Sequence, residues 1–222
     1  MDWAALTLSL NLGLFTVLLL LPLGIVAGRW LAYRQFRGKA WIEAAVALPL
    51  VLPPTVLGYY LLVAFGAASP LGQLWQTMVG RQLVFSFEGL LIASVIFNIP
   101  FAIQPIQRSF ETIPPEVREA AACCGMTPWQ SLRRVELPLA WPGVLTAMVL
   151  SFAHTLGEFG IVLMVGGSIP GETRTIAISI YDRVQAFDDV SAAKMSALLL
   201  ALSLVAVALA FGFSRRIGRR FG

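Results

Sequence analysis

The chain has 222 residues, 58% hydrophobic and only 13% charged, with a formal net charge of +4. Soluble domains carry about 25% charged residues, so a water-soluble globule is excluded and the apolar surface is read as facing lipid. The basic excess does not point to nucleic acid, because Lys and Arg sit at the ends of apolar runs, where they orient membrane segments.

The first apolar run, residues 4–27, contains Asn11 and Pro22. Its basic flank follows it (Arg29, Arg34, Arg37, Lys39) and no small-residue cleavage site ends it, so it reads as a retained membrane helix rather than a leader. The second run, 40–65, carries Pro49, Pro53 and Pro54, with Thr55 next. Prolines remove amide donors and force bends. In lipid the freed carbonyls are tolerated where neighbours or a water-lined cavity satisfy them. Pro53, Pro54 and Thr55 are therefore pore-wall candidates, with a simple structural kink as the alternative.

Residues 66–82 are glycine-rich and mixed, and predict a loop with a short interfacial helix. The third run, 83–106, holds Asn98; the fourth, 144–166, holds His154 and Glu158; the fifth, 192–213, is closed by Arg215, Arg216, Arg219 and Arg220. Between the last two runs, Ile176, Ile180 and Val184 recur at helical spacing and predict a short interfacial or re-entrant helix. The fold class is thus all-α and polytopic, with about five transmembrane helices in a single domain over residues 1–222.

Twelve of the 16 basic residues fall on one side if there are five crossings. They follow run one, lie between runs three and four (Arg108, Arg118, Arg133, Arg134), or follow run five. The positive-inside rule then predicts an outer N-terminus and a cytoplasmic C-terminus. The adjacent Cys123 and Cys124 cannot build a disulfide framework.

The polar stretch 108–141 lies between membrane runs. Pro114-Pro115-Glu116 reads as a helix opening, and Gly125 as its C-terminal stop. Thr127-Pro128-Trp129-Gln130 has a capping-box pattern that starts a second helix, which Leu137-Pro138 is expected to end. Ala120, Ala121 and Ala122 predict a smooth docking face, with Trp129 and Leu132 as apolar anchors. The alternative is two helices lying passively on the membrane.

Glu119-Ala120-Ala121, three residues, Gly125, nine residues, then Val135-Glu136-Leu137-Pro138 resembles the cytoplasmic signature loop of membrane subunits from binding-protein-dependent ABC importers. Val135 in place of the commoner Ile is the one departure. The resemblance implies that Glu119, Ala120, Ala121, Gly125, Val135, Leu137 and Pro138 form an ATPase-docking element. It further implies a homodimeric channel in the bacterial inner membrane, two separate ATPase chains that hold ATP and Mg, and an external binding protein. No cofactor is expected in this chain, and no enzyme activity of its own. Over residues 48–60, Gly157-Glu158-Phe159-Gly160 and 169–176 the chain is similar to the molybdate permease branch, with sulfate, thiosulfate and tungstate as rival cargoes.

Asn98, His154, Glu158 and Arg174 complete the pore or gate candidates. Intramembrane ionisable groups mark function by default. For Glu158 three roles stand open: a gate-closing bond to Arg174, a structural bond to its own loop, or contact with substrate. His154, one helical turn earlier, is either a packed bundle residue or a gating group; Asn98 suits interhelical hydrogen bonding. A channel or secondary transporter working without ATP would show a coupling carboxylate near mid-membrane and usually an internal repeat, and neither is visible. The phosphate-cradling Gly-Lys-Ser/Thr pattern is also missing.

Overall fold

In the computed structural model residues 1–221 are described, with side chains described through residue 208. The basic cluster Arg215, Arg216, Arg219 and Arg220 lies outside the described side chains. Every regular element among the described residues is helical. Helix α1 (Trp3–Tyr33) opens on Asp2, whose carboxylate accepts from the Ala5 amide at 3.0 Å. It outruns its apolar stretch to carry Arg29, Trp30 and Tyr33, because polar residues end hydropathy without ending a helix. Helices α2 (Lys39–Val51) and α3 (Pro54–Phe65) follow, then α4 (Pro70–Val79), capped by Ser69. Helix α5 (Phe87–Glu111) starts at the Ser86 cap. Next come α6 (Pro115–Cys123), α7 (Pro128–Ser131), a π-helical turn (Leu132–Glu136) and α8 (Leu137–Gly157). Helices α9 (Gly160–Gly166), α10 (Ile176–Gln185) and α11 (Asp189–Phe221) complete the chain.

Among the described residues, four helical segments are long and apolar enough to cross a membrane: Trp3–Tyr33, Phe87–Glu111, Pro128–Gly157 and Asp189–Ala208. A fifth span exists if α2 and α3 count together, but they meet at 106°. The expected kink over 40–65 is therefore a full break. Proline drives the preceding residue out of the helical region, and here the effect is doubled: Leu52 sits at ψ 135° and Pro53 at ψ 136°. Pro49, without a proline partner, stays inside α2.

The fourth span also differs from the expected 144–166. Leu137-Pro138 does not end the second polar helix. The Leu137 amide donates to Leu132 five residues back, and this π turn carries the chain past the proline without breaking the rod. The span ends instead at Gly157, and residues 160–166 form the separate α9.

Helices α1, α5 and α8 form the centre of the bundle. Small residues let them approach, as membrane helices require. A Cβ on Gly28 would lie 3.0 Å from the Gln107 amide nitrogen, and one on Gly143 would lie 2.5 Å from the Pro105 carbonyl. Ile106, Phe110, Ala140, Val144 and Ala147 pack between them.

Candidate functional site

Three regions of the molecule bear on function. At one end of the bundle stands α6, with Glu119 and Ala120 exposed. The smooth three-alanine face does not form, because Ala121 is turned inward at 5% exposure. Successive residues step about 100° around a helix, so Ala120 and Ala122 flank a buried Ala121 rather than share its face. Gly125 adopts φ +73°. Its amide donates to Ala122 at 2.9 Å, and the Met126 amide donates to Ala121 at 3.2 Å. This pair of bonds is the Schellman closure. Nothing lies within 4 Å of where a Cβ on Gly125 would stand. Glycine is needed there for handedness, not for room.

The Thr127 capping box is formed, with the Thr127 amide donating to Gln130 Oε1 at 2.9 Å. Trp129 is 68% exposed, but the second expected anchor, Leu132, is only 8% exposed. Leu132 packs in the core cluster of Ile106 and Phe110, since the helix continues into the bundle and takes that side with it. Val135 and Leu137 are half-buried and Pro138 is exposed.

An ion pair with a buried carboxylate and a half-buried guanidinium ties this end together. Arg29 Nε donates to Glu136 Oε2 at 2.6 Å and Arg29 Nη2 to Oε1 at 3.0 Å, while Ser131 Oγ donates to Oε1 at 2.9 Å. The fork geometry fixes direction as well as distance. Glu136 is 1% exposed. The pair fastens α7 and the π turn to α1. Sequence reasoning missed it by treating Glu136 as a variable position in the motif. A lone acid at the head of an apolar run, which must find a cation when buried, was the available signal.

The second region is where two breaks face each other. The α2–α3 break brings Pro54 against the α8–α9 break: a Cβ on Gly160 would lie 3.0 Å from Pro54 Cβ. One turn on, a Cβ on Gly58 would lie 3.2 Å from Ile161 Cα. Pro53 and Thr55 stay exposed beside this contact. Glu158 lies just past the end of α8, and its Oε1 accepts from the Ile161 amide at 2.8 Å. Its bond is thus to its own loop. Arg174 is engaged elsewhere, donating to Ser168 Oγ at 3.0 Å and pairing with Asp182 at 3.6 Å. The alternative Glu158–Arg174 bond is not formed, because each side chain is taken by its nearest local partner.

His154 is half-buried against Phe97 and Phe101, with ring centres 4.7 and 4.1 Å away. It does not share a helix face with Glu158, since α8 ends between them at Gly157. Asn98 is fully buried and donates to the Ser94 carbonyl at 2.8 Å and to Thr155 Oγ1 at 3.1 Å. Thr16 Oγ1 donates to Ser94 Oγ at 3.0 Å, so one polar knot joins α1, α5 and α8. Among the described residues no three His, Cys, Asp or Glu side chains converge to hold a metal ion.

The third region is the opposite end. Asp2 accepts from Ser179 Oγ at 3.0 Å, and Ser9 Oγ accepts from the Ile176 amide at 2.8 Å, holding α10 on α1. Partial burial pushes the Asp2 carboxyl up. The Ala5 amide, the Ser179 hydroxyl and the charges of Arg174 and Arg183 outweigh it and bring the group below its ordinary value.

The model of the binding-protein-dependent transport system inner membrane component matches residues 21–220. The chain belongs to that family. This permease is 50% identical over 187 residues to the molybdenum transport system permease protein ModB of Azotobacter vinelandii, covering 84% of this chain and 83% of the relative. It is 35% identical to ModB of Haemophilus influenzae, covering 100% of this chain and 97% of the relative. The sulfate transport system permease protein CysT of Escherichia coli is 32% identical over 86% of this chain and 69% of its own length. Among solved structures, a bacterial ABC transporter for import of the acidic polysaccharide alginate superposes with TM-score 0.77 at 18% identity, covering 96% of this chain and 79% of that one. The inward-facing MetNI methionine ABC transporter superposes with TM-score 0.71 at 18% identity, covering 97% and 94%. At such identity these two establish the fold. The permease fold therefore matches the all-helical architecture read from the sequence.

Proposed function

We propose that this permease forms the membrane path for molybdate in an ATP-driven importer. Two copies line one channel in the inner membrane, an external binding protein delivers the oxyanion, and two separate ATPase chains dock on the α6 surfaces. The chain itself hydrolyses nothing; ATP and Mg belong to the ATPase chains. The N-terminus faces outward and α6 faces the cytoplasm, a reading supported by the charge asymmetry of the sequence.

The observation that carries the cargo is the 50% identity to a molybdenum transport permease across more than four-fifths of both chains. The 32% identity to a sulfate permease makes sulfate the second reading.

Closure of the ATPase dimer draws the two α6 knobs together, and nucleotide biases the cycle only through unequal affinity for its two states. The Glu119–Ala120 face takes the load. The Arg29–Glu136 fork and the continuous rod from Pro128 to Gly157 pass it into α1 and α8 as rigid-body motion. Irregular backbone at membrane depth belongs beside a cavity, so the facing breaks at Pro53-Pro54-Thr55 and Glu158-Phe159-Gly160 are the gate. Glu158 caps α9 through the Ile161 amide, which ties its side chain to its own loop. Selectivity resides in the binding protein, since passage requires weak sites in the pore.

The test is uptake by vesicles holding the permease with its ATPase chains and binding protein. Molybdate should enter on ATP addition and outcompete sulfate and tungstate. ATP-driven sulfate uptake with no molybdate uptake would reassign the cargo, and uptake without ATPase chains would remove the docking role of α6.

A further inference from the structure

We propose that the permease carries a built-in site for an anionic phospholipid at the α6 end of the bundle. Two adjoining cavities, one apolar and one basic, offer a chain and a headgroup of one lipid molecule separate surroundings. The first, about 390 Å³, is almost wholly apolar and runs between α1 and α5, past Leu20, Leu23, Val95 and Ile99. The second, about 600 Å³, lies at the α6 end and is lined by Tyr33, Arg34, Arg118 and Trp129, with Arg29 at its edge. Val26 and Trp30 line both, so the two adjoin at these side chains. From Leu20 to Trp30 a helix rises about 15 Å, the hydrocarbon depth of one leaflet.

Charge and hydrogen bonding specify the head. Arg29 is neutralised by Glu136. Arg34 and Arg118 have no ion-pair partner among the described residues. The Arg118 guanidinium lies 3.6 Å from the centre of the Tyr33 ring, which fixes its plane. Both Arg118 Nε and Tyr33 Oη are buried, and neither has a hydrogen-bond partner among the described residues. Leaving such groups unpaired is costly. Those two atoms are closed to a ligand and hold Arg118 against Tyr33; a phosphate diester in the pocket accepts from the outward guanidinium nitrogens of Arg118 and from the exposed Arg34, and balances two cations. Basic pockets on the cytoplasmic side of membrane helices suit anionic headgroups, and tryptophans at the rim suit the interface. The leaflet named here rests on the proposed orientation; the pocket itself does not. Its location, against α6 and the Arg29–Glu136 fork, would let membrane charge set the stiffness of the docking element.

The test uses the permease with its ATPase chains in detergent, equilibrated with mixed micelles of phosphatidylglycerol and phosphatidylcholine, with retained lipid read by native mass spectrometry. Phosphatidylglycerol should be retained in preference. Arg34→Gln, at the exposed end of α1, should weaken that retention about fivefold, and the added Arg118→Gln about thirtyfold in all. Val26→Trp, in the wall shared by the two cavities, should reduce retention of both lipids with every charge intact. Glycerol 3-phosphate at the same concentration should not displace the lipid. Three results overturn the proposal: charge variants that hold phosphatidylglycerol as wild type does, Val26→Trp that holds both lipids as wild type does, or displacement by the chainless headgroup. The assay has neither sidedness nor transport, so an error in orientation or cargo leaves its outcome unchanged.

Discussion

Gly125→Ala isolates the reason for the glycine in the α6–α7 turn. The residue sits at φ +73° with open space around its missing Cβ. The cost of a methyl is therefore the left-handed penalty alone, about 1–2 kcal/mol for an L residue. At about 1.4 kcal/mol per decade, that is a roughly 5- to 30-fold loss in the population of the closed turn. Asparagine tolerates this conformation, so Gly125→Asn should lose much less. Two assays read the effect. Amide exchange at Gly125 and Met126, whose N–H groups close the turn, should accelerate by that factor in the alanine variant. ATP-driven uptake in vesicles should fall for alanine and recover for asparagine. Equal loss in both variants would refute the handedness argument and point to a clash between any side chain at 125 and the docked ATPase. Normal amide exchange in Gly125→Ala would refute it outright.

Glu136→Gln leaves the Arg29 charge without its counter-ion in a half-buried site. Breaking such a pair costs about 3 kcal/mol, so the thermal midpoint in detergent should fall, and Arg29→Met combined with Glu136→Gln should recover much of the loss in a double-mutant cycle. Gly143→Val would drive its Cβ onto Ser109 and the Pro105 carbonyl; overpacking of about 3 kcal/mol or more should leave little folded protein by size-exclusion chromatography. Asp2 has a lowered carboxyl, so its contribution is present above the ordinary value of 3.8 and is lost as pH falls through the lower folded value. The wild-type midpoint should drop more steeply than that of Asp2→Asn below about pH 4; parallel curves would show that Asp2 does not hold α10 on α1.

Much of the architecture was legible because it rests on local chemistry. The Thr127 capping box, the Gly125 stop and the α10 periodicity depend on residues within a turn of one another, and each took the form expected of it. The errors arose where a local signal had a distant competitor. Leu137-Pro138 reads as a terminus, yet a π turn that a core-packed Leu132 helps anchor carries the helix onward. Residues 120–122 read as one alanine face until the direction of burial selected Ala121. Glu158 and His154 are four residues apart, and only the break at Gly157 separates their surroundings. The Arg29–Glu136 fork spans 107 residues of chain, beyond the reach of any periodicity.

Hydropathy, proline placement and the spacing from Glu119 to Pro138 by themselves determined a multi-spanning helical membrane protein and its family. Each reports a free energy paid residue by residue: burial in lipid, a missing amide donor, a helix end. Only the tertiary structure decided which breaks face each other, which carboxylate is locked, and which arginines have no counter-ion among the described residues. Those outcomes depend on interhelical distances, which are set by glycine contacts between α1, α5 and α8 and which no single stretch of chain encodes.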